Sequence, residues 1–309
     1  NRADRSNASW LSIGEKGSVL GIRLLFVVAT MIGRRAAAFL LHFAVLYFVV
    51  VHRQVRRSSR AYLERIHGHR VGLRAIYAHV YCFALVTLDR IFLLQGRYDL
   101  FTATHHGHEH LLRLSQAGQG AVLLSAHLGS VAAMNLDDHA KDLRINIVGY
   151  FRNARMINSL FEQLNPEATQ RIIHLDDSNL GSIFEIRKRI EAGEMVALSA
   201  DRPGVNDRSV EVDFLGGKAS FPTAPFLVAS LLKCPVVLTF ALFRAPNHYE
   251  LYCEPFADVL ALERKDRDRD LAVQVQQFAR RVEHYCRKAP DNWFNFYDFW
   301  SPPPPASNT

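Results

Sequence analysis

Apolar residues run along this chain in two different patterns. Between positions 19 and 51 they are nearly continuous: Val19 to Gly33 carries one charge, Arg23, and Ala36 to Val51 is broken only by His42, with Arg34 and Arg35 between the two runs. A helix that crosses a bilayer needs about 20 apolar residues. Each run is too short alone, and together they suffice, but two arginines at the midpoint are costly in hydrocarbon. Two membrane arrangements fit, one tilted anchor or two helices lying in or dipping into one leaflet. The soluble alternative is a pair of core helices with Arg34 and Arg35 in the turn. From 58 to 95 the apolar positions, among them Leu63, Ile66, Leu73, Ile76, Tyr77, Val80 and Tyr81, recur at roughly helical spacing.

Beyond residue 100 the pattern changes to short apolar runs alternating with amphipathic stretches. Strands are expected at 121–124, 146–150, 171–174, 195–200, 210–214, 236–243 and 249–253, and helices at about 107–117, 130–141, 154–164, 179–192 and 267–288. Strand–helix alternation with short connections means a mainly parallel central sheet flanked by helices, an α/β fold. The expected organisation is a membrane-associating helical segment over 1–57, an α/β domain over 58–300, and a disordered tail over 301–309, where four consecutive prolines exclude helix and inner strand.

Charge sharpens this division. The chain carries +7, yet residues 1–100 hold 15 of the 37 Lys/Arg and only 5 of the 30 Asp/Glu. The excess flanks apolar stretches, with Arg53, Arg56, Arg57 and Arg60 as a collar after the second run. That placement suits anionic headgroups, at about 1 kcal/mol per arginine near the surface, and by the positive-inside rule faces the cytoplasm. It does not suit nucleic acid, where stacking aromatics would lie among the basic residues. Cys82, Cys234, Cys253 and Cys286 form neither a C-x-x-C pair nor a zinc spacing and lie among apolar neighbours, which points to a reducing compartment.

The segment richest in chemistry is Ala121 to Ser130. A buried strand delivers His127 at its C-terminal end, followed by Leu128, Gly129 and a helix start for which Ser130 is a plausible N-cap. Strand C-termini in open α/β sheets are where ligands bind. A histidine there can act as general base, and the helix start can offer N–H groups to an oxyanion or phosphate; the bland reading is an incidental histidine in a capped turn. Asp201 and Arg202 follow another buried strand and should reach the same edge, where a guanidinium can hold a phosphate or carboxylate in two-pronged fashion, or form an ordinary Asp–Arg turn pair. Arg152 and Asn153 follow a third strand and are further cleft candidates. His105 to His110 has the look of a metal cluster, but no metal or other cofactor is expected. No Gly-x-Ser-x-Gly elbow and no nucleotide fingerprint is present.

In these residues the chain resembles the lysophospholipid acyltransferase superfamily, and within it the late lipid A acyltransferase branch and its relatives associated with aryl-polyene lipids. His127-Leu-Gly-Ser130 matches that branch's motif. The resemblance extends over Trp10-Leu-Ser-Ile-Gly14, the apolar–Gly33-Arg34–apolar segment, Ser199-Ala-Asp-Arg202, Val212-Asp-Phe-Leu-Gly216, Phe221-Pro-Thr-Ala-Pro225 and Asn292-Trp-Phe-Asn-Phe-Tyr-Asp-Phe-Trp300. It implies transfer of a fatty or aryl-polyene acyl chain from an acyl-carrier-protein or coenzyme A thioester to a lipid-linked hydroxyl, at the cytoplasmic face of a bacterial inner membrane. It also implies His127 as catalytic base and Asp201 and Arg202 as part of the acceptor-binding block; with Ser130, Arg152 and Asn153, which their places at the strand ends suggest, these are the expected substrate-binding residues. The family's motif places an acid five residues after the histidine, where this chain has Ala132. The expectation is therefore an imidazole without its carboxylate and an inactivated chain, whether by replacement of that residue or as a naturally impaired member. A non-catalytic lipid-binding protein on the same fold is the alternative.

Overall fold

The computed structural model describes residues 19–136, 143–149, 171–174, 180–202, 208–263 and 265–300. The expected helix at 154–164, the residues Arg152 and Asn153, and the proline tail lie outside them.

The first apolar stretch forms α1 (Val19–Val51), interrupted at Gly33, whose φ of 81° and ψ of 169° leave the helical region. Glycine adopts that conformation without the steric cost a side chain would bring. It is followed by α2 (Arg53–His67) and α3 (Leu73–Leu94). The break sets Arg34 at the start of the second run, turned inward. Its Nε donates to Asp89 Oδ1 at 2.6 Å and its Nη2 to Oδ2 at 3.0 Å. Tyr249 donates to the same carboxylate at 2.9 Å. A second Arg34 donor contact reaches the Pro246 carbonyl at 2.7 Å, and the guanidinium stands over the Phe101 ring. The costly arginine is thus paired inside the protein, while Arg35 is exposed.

The second run of α1 is not amphipathic, because both of its faces are apolar. Ala37, Leu41, Val45 and Val49, spaced by four, are buried against α3. Phe39, Phe43, Leu46, Tyr47 and Val50 point outward and are more than half exposed. By length and composition Thr30–Val51 and α3 both suffice to cross a membrane, but α3 is mostly buried in the protein and α1 mostly is not. Arg56 closes the end of α1 by donating to the Val49 and Val50 carbonyls.

Among the described residues nine strands follow: β1 (Thr102–His106), β2 (Ala121–Ser125), β3 (Ile145–Gly149), β4 (Ile172–His174), β5 (Met195–Ser199), β6 (Ser209–Phe214), β7 (Gly217–Pro222), β8 (Val236–Arg244) and β9 (His248–Ala257). Seven make the main sheet in the order β1-β9-β8-β2-β5-β3-β4, and β6 and β7 form a separate antiparallel hairpin. Strands β8, β2, β5, β3 and β4 are mutually parallel, as the alternation predicts. β9 runs antiparallel to β8 and parallel to β1. The described residues also form the helices α4 (Glu109–Gln116), α5 (Leu180–Glu191), α6 (Ala224–Leu232) and α7 (Arg267–Lys288). In place of a helix over 130–141, the described part is a short 3-10 segment, Val131–Leu136.

Both sheet faces are covered, so the central strands alternate between two cores. Val122, Leu124, Val196, Leu198, Leu238 and Phe240 enter one, with Phe278 and Val282 of α7. Leu123, Ala197, Val237 and Ala241 enter the other, with Leu85, Leu88 and Phe92 of α3. Because α1 and α3 belong to this second core, the N-terminal segment is packed onto the α/β body. All four cysteines are buried and none is in a disulfide.

Replacing Asp89 by Leu should destabilise the fold by about 3–5 kcal/mol, because it strands a buried guanidinium. The double variant Arg34→Met/Asp89→Leu should recover most of that loss. Denaturant unfolding of the three proteins in one detergent checks this, and equal losses in the single and double variants would remove the charge pair from the account.

Candidate active site

Strands β2 and β5 are parallel neighbours in a register that sets Ser125 opposite Ser199. Two residues further on, both chains leave the sheet at the same edge, with His127 on one and Asp201 on the other. His127 Nδ1 lies 2.7 Å from Asp201 Oδ1, and the His127 backbone N–H donates to Asp201 Oδ2 at 3.0 Å. A carboxylate oxygen accepts, so Nδ1 carries the proton in the neutral ring and Nε2 is left as the basic nitrogen. The Asp201 side chain is fully buried, while the His127 side chain keeps 36% of its surface open.

The carboxylate is heavily coordinated. Besides His127 it receives Ser199 Oγ at 3.0 Å, Asn295 Nδ2 at 2.9 Å and Trp293 Nε1 at 3.3 Å. Burial pushes its pKa up, but the charges of His127 and Arg202 and the hydrogen bonds from His127 and Asn295 outweigh it and hold Asp201 well below the usual carboxylate range. His127 is moved down from its ordinary value of 6.5, first by burial and then by the Arg202 charge; Asp201 opposes this without cancelling it. At neutral pH the pair is therefore an ionised acid and an uncharged imidazole.

The last described residues of the chain wall the site. Gly129 N–H donates to the Asn292 carbonyl at 2.8 Å and Phe294 N–H to the His127 carbonyl at 2.8 Å, which ties the segment from 292 to 295 beside His127. Asn292 is held in turn by the Phe243 backbone at the end of β8. His79 of α3, fully buried, donates from Nε2 to the Trp293 carbonyl at 2.8 Å and is met at Nδ1 by Ser59 of α2. On the opposite side of the His127 turn, Ser130 N–H donates to the Ala241 carbonyl at 2.9 Å.

His127, Asp201 and Arg202 do share one sheet edge. Asp201, expected to face a substrate, sits instead on the imidazole, and so the histidine expected to lack an acid has one. Ala132 is packed on the apolar cluster that holds Leu123 and Met134. The backbone N–H groups of Leu128, Gly129 and Ser130 are all bonded within the protein. Ser130 itself is buried. Arg202 donates from Nε to the Asn295 side-chain oxygen and from Nη2 to the Phe294 carbonyl, and lies near the Tyr297 ring. Among the described residues no group of three His, Cys, Asp or Glu side chains is placed to hold a metal, and His106 of the histidine-rich run stacks on Tyr252. Sequence reasoning missed Asn295, Trp293 and Ser199. One signal for the pairing was legible: Leu124-Ser-Ala-His127 and Leu198-Ser-Ala-Asp201 end their strands with the same three residues.

A buried carboxylate beside a partly open imidazole at the C-terminal edge of a mainly parallel sheet is an arrangement with the chemistry of a general base. The chain belongs to the family described as bacterial lipid A biosynthesis acyltransferase, whose model matches residues 7–301. Membership points to acyltransferase activity in lipid biosynthesis, with an acyl donor and a lipid acceptor as partners. No curated protein matches the chain.

Gly129 is the tightest point of the site's backbone. Its φ is +69°, and a Cβ there would stand 1.8 Å from the Ala241 carbonyl oxygen. The variant Gly129→Ala should lose at least about 1–3 kcal/mol from backbone strain alone, and should separate the His127 turn from β8. Chemical unfolding measures the first, and loss of activity out of proportion to loss of folded protein reports the second.

Proposed function

We propose that the protein transfers a fatty or aryl-polyene acyl chain from an acyl-carrier-protein or coenzyme A thioester to a lipid-linked hydroxyl, with His127 as general base and Asp201 as its orienting carboxylate. The observation that carries this reading is the 2.7 Å contact between His127 Nδ1 and Asp201 on a ring whose other side is partly open. The uncharged imidazole takes the acceptor's hydroxyl proton at Nε2 as the oxygen attacks the thioester carbonyl. The carbon–sulfur bond then breaks, and the imidazolium returns the proton to the departing thiolate. Asp201 fixes the tautomer and stabilises the imidazolium between these events, the part a motif acid at position 132 would have taken. On this reading the alanine at 132 does not silence the chain, and Arg202 braces the site's wall. Arg152, Asn153 and Ser130 remain candidates for contact with the acceptor.

The outer face of α1, with Phe39, Phe43, Leu46, Tyr47 and Val50 exposed and the arginines of α2 directly after it, supports attachment to a membrane carrying anionic lipid. The cytoplasmic face of a bacterial inner membrane is the location that fits the basic collar. Full-length protein should pellet with membranes and need detergent for release. Recovery in the soluble fraction of a carbonate-free lysate would refute the attachment.

Three substitutions separate this mechanism from a non-catalytic lipid-binding role and from an impaired site. His127→Ala should abolish transfer. Asp201→Asn should lower kcat by on the order of 10⁴, by analogy with the orienting aspartate of serine proteases. Ala132→Glu should leave kcat within about tenfold of the parent. The acidic limb of kcat/KM should fall below pH 6.5, because the base works when uncharged and His127 sits lower than its ordinary value of 6.5. A large gain from Ala132→Glu together with an indifferent Asp201→Asn would show that the acid the site needs is the one at 132. Lipid binding that survives with no transfer in any variant or in the parent favours the binding protein.

A further inference from the structure

We propose that Asn295 is the positioning residue of this site: its single side-chain amide locks Asp201 and Arg202 against each other and so keeps the carboxylate on the imidazole. The amide spans the two charges with opposite ends, Nδ2 donating to Asp201 Oδ2 at 2.9 Å and Oδ1 accepting from Arg202 Nε. Only one amide orientation serves, since a flip would set an oxygen against the carboxylate and an NH₂ against a guanidinium N–H. Asn295 is 2% exposed, so neither end has water as a substitute partner. The backbone just before it is also held. The preceding residue, Phe294, donates to the His127 carbonyl and accepts from Arg202 Nη2.

Each alternative side chain fails for a physical reason. Leucine has the shape but leaves two charged groups short of a partner. Aspartate keeps the bond to Arg202 but opposes Asp201. Glutamine is one methylene too long for a closed interior. The ionisable groups that face Asp201 are His127 from the end of β2, Arg202 from the end of β5, Tyr297 from the C-terminal segment and the buried thiol of Cys286 on α7. A new charge at 295 therefore acts on His127 through Asp201 and against Arg202.

The inference rests on His127 acting as base, yet its first test requires no turnover. In the full chain in detergent, ¹⁵N NMR of histidine, assigned by loss of the signal in His127→Ala, reads the ring's tautomer and titration midpoint. The parent should show a single Nδ1–H tautomer. Asn295→Leu should show a mixture, and Asn295→Asp should raise the midpoint by about one pH unit, as an added nearby anion does. With an acyl thioester and lipid acceptor, Asn295→Leu should lower kcat on the order of 10- to 100-fold, the size of one charge-assisted hydrogen bond, with KM within about twofold. An unchanged tautomer in Asn295→Leu, or an unmoved midpoint in Asn295→Asp, overturns the proposal. Should Asn295→Leu fail to fold, the isosteric Asn295→Asp decides alone. Full activity in His127→Ala would instead overturn the catalytic reading and leave the NMR result standing.

Discussion

Asp201 is the constraint on which the rest of the site depends. A carboxylate taken wholly out of water costs several kcal/mol unless its lone pairs are satisfied, and here the donors come from separate parts of the chain. The turn after β2 brings His127, the end of β5 brings Ser199, and the C-terminal segment brings Trp293 and Asn295. None of these can shift without unpairing a buried charge. The acid therefore does more than assist the histidine. It determines that the aromatic end of the chain folds back beside β2 and that Arg202 turns into the protein.

Much of the fold was legible. Apolar runs located the parallel strands β2, β3, β4 and β5, and α7 falls on its expected range of 267–288. β1 was hidden because Thr-Ala-Thr-His-His has no apolar rhythm, being an edge strand with one mostly exposed face. The hairpin strand β7 and the nine-residue α6 were hidden for opposite reasons. Gly217–Pro222 does not alternate, and α6 is too uniformly apolar and too short to show a period. The reversed direction of β9 follows from a tight connection over 245–247, which permits an antiparallel return and no crossover.

The site was half legible. His127 stood out because a strand end followed by glycine is a recognisable place for chemistry. Its partner did not, because the acid lies 74 residues away and the contact exists only if β5 neighbours β2 in the matching register, which chain order does not dictate. A motif read along one strand and its turn searches for the acid at position 132. The sheet supplies it sideways, from the next strand. The shared Leu-Ser-Ala endings become informative once the two strands are set side by side, since equal apolar runs that leave the sheet together deliver their next residues to one place. A similar point applies to Arg34. In sequence it reads as a charge interrupting an anchor, and in the fold its ion pair with Asp89 helps fasten α1 to α3 while leaving the helix's outer face apolar.

On the proposed mechanism, the electrostatics divide the work of base catalysis in a consistent way. Burial and the Arg202 charge keep the resting imidazole neutral, so a proton-accepting nitrogen is available at neutral pH. The same two influences would oppose the imidazolium that forms during transfer if nothing answered them. Asp201 answers them, because its own charge is held in place by donors that do not take part in the reaction. The stabilisation is therefore largest at the moment the ring gains its proton and smallest before it, and only interactions of that kind accelerate a chemical step. An acid at position 132 would have to arrive from the 3-10 turn, where the chain has instead packed an alanine against apolar neighbours. An acid from β5 arrives on a central strand with a fixed register, and its orientation is therefore set by the sheet itself.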